Sequence, residues 1–295
     1  MAHQNLPLRH FLLALSVVAV WGTNFVVIQV ALATLPPLLF AALRFALVFF
    51  PCCLFLPRPA VPWRDLIWYG LLIGVGQFGL LFLAMNGHIT PGLASLVIQT
   101  QVFFTIFLSM RISGERVRPM QWLALGVAVT GIGVIVAHTD GSTTPAGLGM
   151  ILLAAASWAG GNMVARASSR SANVNAVAYV VWSGIFAAVP LLLLSIAVEG
   201  AHAIATGLQS AGAGTWAAVA WQSVGNSLFG YAMWAWLLAR YPAATVSPMA
   251  LLVPVFGMAA SGLLLAEPMP LWKLIAMVLV MAGLGLNLLK SGTAR

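Results

Sequence analysis

The sequence predicts an all-α integral membrane protein: ten transmembrane helices, built as two inverted five-helix repeats around a central cavity, with both termini in the cytoplasm. Three observations predict it: too little charge for a water-facing surface, basic residues confined to one side, and an internal repeat. Of the 295 residues, 62% are hydrophobic and 6% charged, and the mean hydropathy is +1.02. Soluble domains carry about a quarter charged residues, so this chain needs lipid as its solvent. The net charge of +8 does not indicate nucleic acid as a partner, because the 13 Lys and Arg punctuate apolar runs and do not cluster. Cys52 and Cys53 are adjacent in an apolar run, where helix neighbours point apart, and read as packing residues. The first apolar run continues past Trp21 to about Leu32 with no small-residue cleavage site, so it reads as the first span and not as a leader.

A span needs about 20 apolar residues. Turn residues and charges divide the chain into spans at 10–32, 36–56, 65–86, 91–111, 118–138, 145–166, 174–198, 215–239, 243–266 and 270–290. Pro36-Pro37, Asn86-Gly87, Pro91 and Pro119 mark boundaries, proline being favoured in a helix's first turn. With the N-terminus inside, eleven of the basic residues fall in cytoplasmic segments, among them Arg9, Arg58, Arg64, Arg111, Arg166 and Arg240. Only Lys273 falls outside, and Arg44 lies within span two. That asymmetry follows the positive-inside rule, and a miscounted span would scramble it.

Residues 1–138 and 145–295 read as two copies of one unit. Ser95, Glu115, Gly131 and Gly133 recur 152 positions later as Ser247, Glu267, Gly283 and Gly285. Phe78-Gly79 recurs as Phe229-Gly230, and Trp21-Gly-Thr-Asn24 is echoed by Trp158-Ala-Gly-Gly-Asn162. Five helices is an odd number, so the second copy enters the membrane from the opposite side. Inverted repeats around a midplane site characterise alternating-access transporters. The glycines at 126, 131, 133, 283 and 285 read as close-packing positions.

Polar residues deep in spans are costly and invite a functional reading. Trp21 with Asn24, and Trp158 with Asn162, each share a helix face. An indole beside an amide can stack on and hydrogen-bond a small zwitterion; the competing reading is amide bonding between helices with tryptophan as an anchor. Recurrence in both halves favours the first. Gln222, Asn226, Gly230 and Trp234 fall four apart and form one polar-aromatic stripe, facing either a cavity or another helix, with Tyr231 off it. Span four puts Ser95 and Gln99 on one face and Gln101 nearly opposite; Gln99 is favoured for the cavity, Gln101 is retained, and Ser247 enters as the repeat partner of Ser95. Gln77 shares a face with Gly70 and Gly74, and Phe78 is either cavity wall or packing. Arg44 either holds a substrate carboxylate, or is satisfied by backbone carbonyls or snorkels to a headgroup.

No Asp or Glu falls mid-span: Asp65, Glu115, Asp140, Glu199 and Glu267 all lie near ends or in loops. This points to neutral or zwitterionic solutes and weakens a carboxylate proton relay, leaving Glu115 or Glu267 to titrate near an entrance. Gly225-Asn-Ser227-Leu-Phe-Gly has the wrong spacing for a nucleophile elbow. The histidines, His3, His10, His88, His138 and His202, fall at span ends or outside, so none can serve Ser227 as a base. A P-loop, a metal-ligand cluster and a filter-like ring of charge are absent from the sequence, so neither an enzyme nor a channel nor a cofactor is expected.

The stretch Trp21-Gly-Thr-Asn-Phe-Val-Val, Pro36-Pro37 with Leu43-Arg44-Phe45, and the run from Gly92 through Gln99-Thr-Gln-Val-Phe-Phe-Thr to Gly114-Glu115-Arg116 resemble the drug/metabolite transporter superfamily, EamA type. Arg240-Tyr241, Leu251-Leu-Val-Pro254-Val and Glu267 repeat the pattern, so the resemblance covers nearly the whole chain. The span-four segment is most similar to bacterial exporters of amino acids and their metabolites, such as the O-acetylserine/cysteine exporter, and YddG-type aromatic amino acid exporters share the architecture. The resemblance implies a ten-helix basket in the bacterial inner membrane that exports a small-molecule substrate, with a broad drug or metabolite efflux carrier as the alternative. It leaves the oligomeric state open, a monomer included. Many members have a proline in span four matching Pro254; this chain has Gln101-Val102 there, which makes the two half-sites chemically unequal.

Overall fold

Apolar runs opened by proline and closed by polar turns fold as helices, and the described residues contain helices and turns but no strand. The computed structural model describes residues 7–113, 119–171, 174–241 and 243–288. Glu115, Arg116, Arg118, His3, Lys290 and Arg295 lie outside the described residues. The helical segments are α1 (Leu8–Leu32), α2 (Pro37–Cys52), α3 (Trp63–Met85), α4 (Pro91–Ile112), α5 (Pro119–Ala137), α6 (Pro145–Ser171), α7 (Ala176–Ser210), α8 (213–240), α9 (243–264) and α10 (Leu271–Leu288). Pro37, Pro91, Pro119 and Pro145 stand at helix starts, where the missing N–H costs nothing.

Among the described residues, seven segments are long and apolar enough to cross a membrane: α1, α3, α4, α5, α6, α7 and the Ser247–Leu264 part of α9. Pro37–Cys52 and Leu271–Leu286 are apolar but shorter. The α8 segment falls outside both groups because Gln222, Ser223, Asn226 and Ser227 interrupt it, all of them buried. Its polarity faces inward, where other helices supply partners.

Among the described residues, five segments depart from regular α-helix. Leu71–Gly79 in α3 and Trp221–Phe229 in α8 are π-helical, at equivalent positions of the two halves. Ile98–Thr100 in α4 and Ser247–Leu251 in α9 are 3₁₀ turns, again at matching places. The α7 segment also runs further than the sequence reading of 174–198. After a π turn at Ser195–Glu199, Gly200 adopts φ 83°, which a side chain would resist, and the chain starts a short helix, Gly200–Ser210.

Helix α1 packs on α8 and α9, α6 packs on α3 and α4, α2 packs on α7, and α5 packs on α10. The glycines on α5 and α10 divide into two sets, correcting the reading that all were packing sites. A Cβ on Gly283 would come within 2.6 Å of the Ala124 carbonyl oxygen, and one on Gly131 within 2.9 Å of Val280 Cγ2, whereas Gly126, Gly133 and Gly285 face open space. Gly283→Val should therefore lower stability by about 1–3 kcal/mol through overpacking, and Gly126→Val should leave the thermal unfolding midpoint in detergent unchanged.

The acidic residues at helix ends act as caps. Glu199 accepts hydrogen bonds from the backbone N–H groups of Leu38 at 2.6 Å and Leu39 at 3.1 Å, so it satisfies orphan donors at the start of α2. Glu267 accepts from the Gly92 N–H at 2.9 Å at the start of α4 and pairs with Lys273 at 2.8 Å. Ala266, just before it, is held at φ 53°, the one non-glycine residue with positive φ among those described. Ala266→Gly should relieve that strain and raise stability by about 1 kcal/mol, read as a higher unfolding midpoint.

Candidate functional site

A cavity of about 390 Å³ lies between the two halves, inside the range of roughly 300–1,000 Å³ usual for small-molecule sites. From α1 it takes Trp21, Asn24 and Phe25; from α3, Gln77, Phe78 and Leu81; from α4, Gln99, Gln101 and Val102. From α6 come Trp158 and Asn162; from α8, Asn226, Tyr231 and Trp234; from α9, Ser247 and its neighbours. Of the residues singled out from sequence, Trp21, Asn24, Gln77, Phe78, Gln99, Gln101, Trp158, Asn162, Asn226, Trp234 and Ser247 meet on this wall, whereas Gln222 and Gly230 of the span-eight stripe do not line it. None of the residues lining it carries a charge.

The irregular turns make this wall. Along an α-helix Gln99 and Gln101 point about 200° apart, but the 3₁₀ turn at Ile98–Thr100 turns both carboxamides inward. The π segment of α8 widens each turn, and its backbone hydrogen bonds run five residues back, as from the Gly230 N–H to the Gly225 carbonyl. That register puts Tyr231 on the cavity with Asn226, whereas the four-residue spacing on an ideal helix places it off the stripe. Such π segments occur mostly at functional places. The only trace of them in the sequence is the paired Phe78-Gly79 and Phe229-Gly230. Gly230 has a direct role: the Trp21 indole lies against it where no side chain would fit.

Two hydrogen bonds tie the wall together. The Asn162 Nδ2 donates to Gln101 Oε1 at 3.2 Å, joining α6 to α4. The Trp21 Nε1 donates to the Asn226 carbonyl at 3.3 Å, joining α1 to α8, and the Trp21 and Trp234 rings lie 5.2 Å apart. The equivalent amide on α1, Asn24, has Val253 where Asn162 has Gln101. Its Oδ1 is buried and makes no hydrogen bond, and neither does Gln77 Oε1. Buried amide oxygens without partners are rare in folded proteins and mark places where a ligand or water is received.

Arg44 and Ser95 are not on this wall. Arg44 lies behind it, in a small space it shares with Ser227 and Tyr231. Ser95 is fully buried and donates to the Gly92 carbonyl at 2.6 Å, so it packs α4 while its repeat partner Ser247 faces the cavity. Asp65, Glu199 and Glu267 are likewise absent from the wall: Asp65 accepts from Ser168 Oγ at 3.0 Å, and the other two cap helices. Among the described residues, no group of three or more His, Cys, Asp or Glu stands where it could hold a metal ion.

Comparison with known proteins adds the lineage. Residues 8–137 and 145–289 each match the EamA-like transporter family. The chain belongs to that family. A protein of Salmonella typhimurium named "probable amino-acid metabolite efflux pump" is 41% identical over 93% of both chains. Its namesake in Escherichia coli is 40% identical over the same share. A crystal structure of a protein 19% identical in sequence superposes with a TM-score of 0.63, covering 95% of this chain and 96% of the other, so the fold itself has been seen before. Membership in a transporter family, with many apolar helices, makes this EamA protein a multi-pass membrane carrier and not an enzyme. The cavity is lined by residues from both matched regions.

Proposed function

We propose that this protein is a secondary transporter that exports amino acids or close metabolites across the inner membrane. It works by alternating access between two inverted five-helix repeats, residues 1–138 and 145–295, with ten spans and both termini cytoplasmic. One observation carries the reading: an uncharged cavity lined by carboxamides and indoles from both halves. Carboxamides meet both the ammonium and the carboxylate of a zwitterion without imposing a net charge, and indoles supply an apolar stacking face. The printed names of the relatives in Salmonella and Escherichia support the solute class. The packing supports the inverted repeat, because α1 on α8 and α9 is matched by α6 on α3 and α4, while α2–α7 and α5–α10 each pair equivalent helices.

The test is flux. The purified protein in liposomes should carry labelled neutral amino acids saturably and discriminate against Lys, Arg, Asp and Glu. Repeating the assay with and without a pH gradient reports the coupling. Flux that fails to saturate, or that favours basic amino acids, would overturn the reading. Topology has its own check. After Cys52 and Cys53 are replaced, single cysteines at the exposed positions Arg58 and Ser169 should both label only from the cytoplasmic side. Labelling from opposite faces would break the ten-span count.

A further inference from the structure

Arg44 is a charged group in the protein interior whose chemistry the cavity does not use. It sits mid-way along α2 with no exposed surface. Its Nε and Nη2 both donate to a single acceptor, Ser227 Oγ, at 3.2 and 3.1 Å. The guanidinium carbon lies 3.6 Å from the Phe78 ring centroid and 5.0 Å from that of Phe45. Nη1 is buried with no hydrogen-bond partner, and the Tyr231 hydroxyl lies within electrostatic reach of the guanidinium. Among the described residues no carboxylate pairs with it, in contrast to the buried Lys273, which has Glu267. A cation left without a counter-ion in a low-dielectric interior is costly, and such residues are retained where an anion is received.

The surroundings indicate the direction of approach. Phe78 lines the cavity on one side and carries the guanidinium on the other, and Tyr231 borders both spaces. The free space at Arg44 is about 10 Å³, room for one water at most, so a larger anion enters only if one of these rings moves. Tyr231 borders the cavity two residues past the end of the widened π segment. On the cavity wall, Asn24 Oδ1 and Gln77 Oε1 are acceptors without donors. The cavity therefore offers unfilled acceptors on its wall and an unfilled cationic group behind a tyrosine.

We propose that Arg44 is a carboxylate subsite of the cavity, opened when Tyr231 swings aside. It takes the carboxylate of the transported amino acid, while the ammonium stays with the carboxamides. A planar guanidinium binds a carboxylate through two parallel hydrogen bonds, and the unpartnered Nη1 supplies one of them. The inference rests on the carrier reading of the cavity. It also explains selection for amino acids by a wall with no charge of its own.

The probe is L-cysteine kept reduced, compared with cysteamine, which lacks only the carboxylate, and with L-cysteine ethyl ester, which masks it. Two measurements are made on the full-length protein: thermal unfolding in detergent with each compound, and competition for labelled L-cysteine flux in liposomes. The wild type should be stabilised by cysteine and not by cysteamine, and should prefer cysteine by about tenfold or more in competition, the size of one charge-assisted contact. Arg44→Gln should bring that preference close to parity, and Arg44→Lys, which keeps the charge but not the fork, should lie between. If Arg44→Gln does not fold, the wild-type comparison and Arg44→Lys decide. A wild type that treats cysteine and cysteamine alike, or an Arg44→Gln protein that keeps the preference, would overturn the subsite. Arg44-dependent stabilisation by cysteine without saturable flux would uphold the subsite and overturn the carrier reading; saturable flux with unchanged preference in Arg44→Gln would do the reverse. Stabilisation by chloride alone, Arg44-dependent and absent with cysteine, would assign the site to a free inorganic anion and overturn the proposal.

Discussion

Asn24→Leu is expected to cut amino acid flux by roughly 10- to 100-fold, the value of one hydrogen bond to a charged group, while leaving the fold as stable as before or more so. The reason is that Asn24 contributes nothing visible to the fold: its Oδ1 is buried with no hydrogen bond, and an unsatisfied buried acceptor is itself a cost of about 1–3 kcal/mol. Asn162→Leu should lose flux and stability together, because it leaves Gln101 Oε1 without the Nδ2 donor at 3.2 Å. Trp158→Ala should abolish flux with membrane insertion intact, as it strips a stacking face from the wall. Liposome flux and thermal unfolding, measured on the same preparations, separate these cases. Wild-type flux in Asn24→Leu would remove Asn24 from the site and leave its unpaired oxygen unexplained.

The contrast between the two asparagines shows what the sequence made legible and what it hid. Helical spans follow from hydropathy because lipid forces every backbone N–H and C=O to be satisfied within its own segment. The Trp–Asn faces follow from simple spacing, since three and four residues along a helix bring side chains together. The unequal half-sites were also readable, from Gln101-Val102 standing opposite Pro254. Gln99 and Gln101 were different. Their joint appearance on the wall depends on a 3₁₀ turn of three residues, Ile98–Thr100, which no residue in the segment demands. Tyr231 fell off the stripe for the same reason: a π segment shifts register by one residue per turn, and its energy comes from packing between helices and not from local preference. The position of Arg44 behind Phe78 and Tyr231 depends on rotamers across three helices, which lie beyond any spacing rule. Periodicity recovers straight helices, and the cavity is built where the helices are not straight.

Lys273→Met should be the most destabilising single change, at about 3–5 kcal/mol, because it leaves the buried Glu267 carboxylate without its cation. Lys273 Nζ and Glu267 Oε1 are 2.8 Å apart, with both side chains only 5% exposed. The loss would spread beyond the pair. Glu267 Oε2 also holds the Gly92 N–H at 2.9 Å, so the same carboxylate fastens the first turn of α4 to the connection between α9 and α10. A charge that has lost its partner must either pull in water or protonate, and both loosen that cap. Glu267→Gln should cost less than Lys273→Met, since an amide oxygen can still accept from Gly92. The double change Lys273→Met with Glu267→Leu should recover much of the lost stability, because removing both charges also removes their desolvation. Thermal unfolding of the wild type and these three variants in one detergent reads the differences directly. If Lys273→Met unfolds at the wild-type midpoint, water reaches the pair and it does not hold α4 in place.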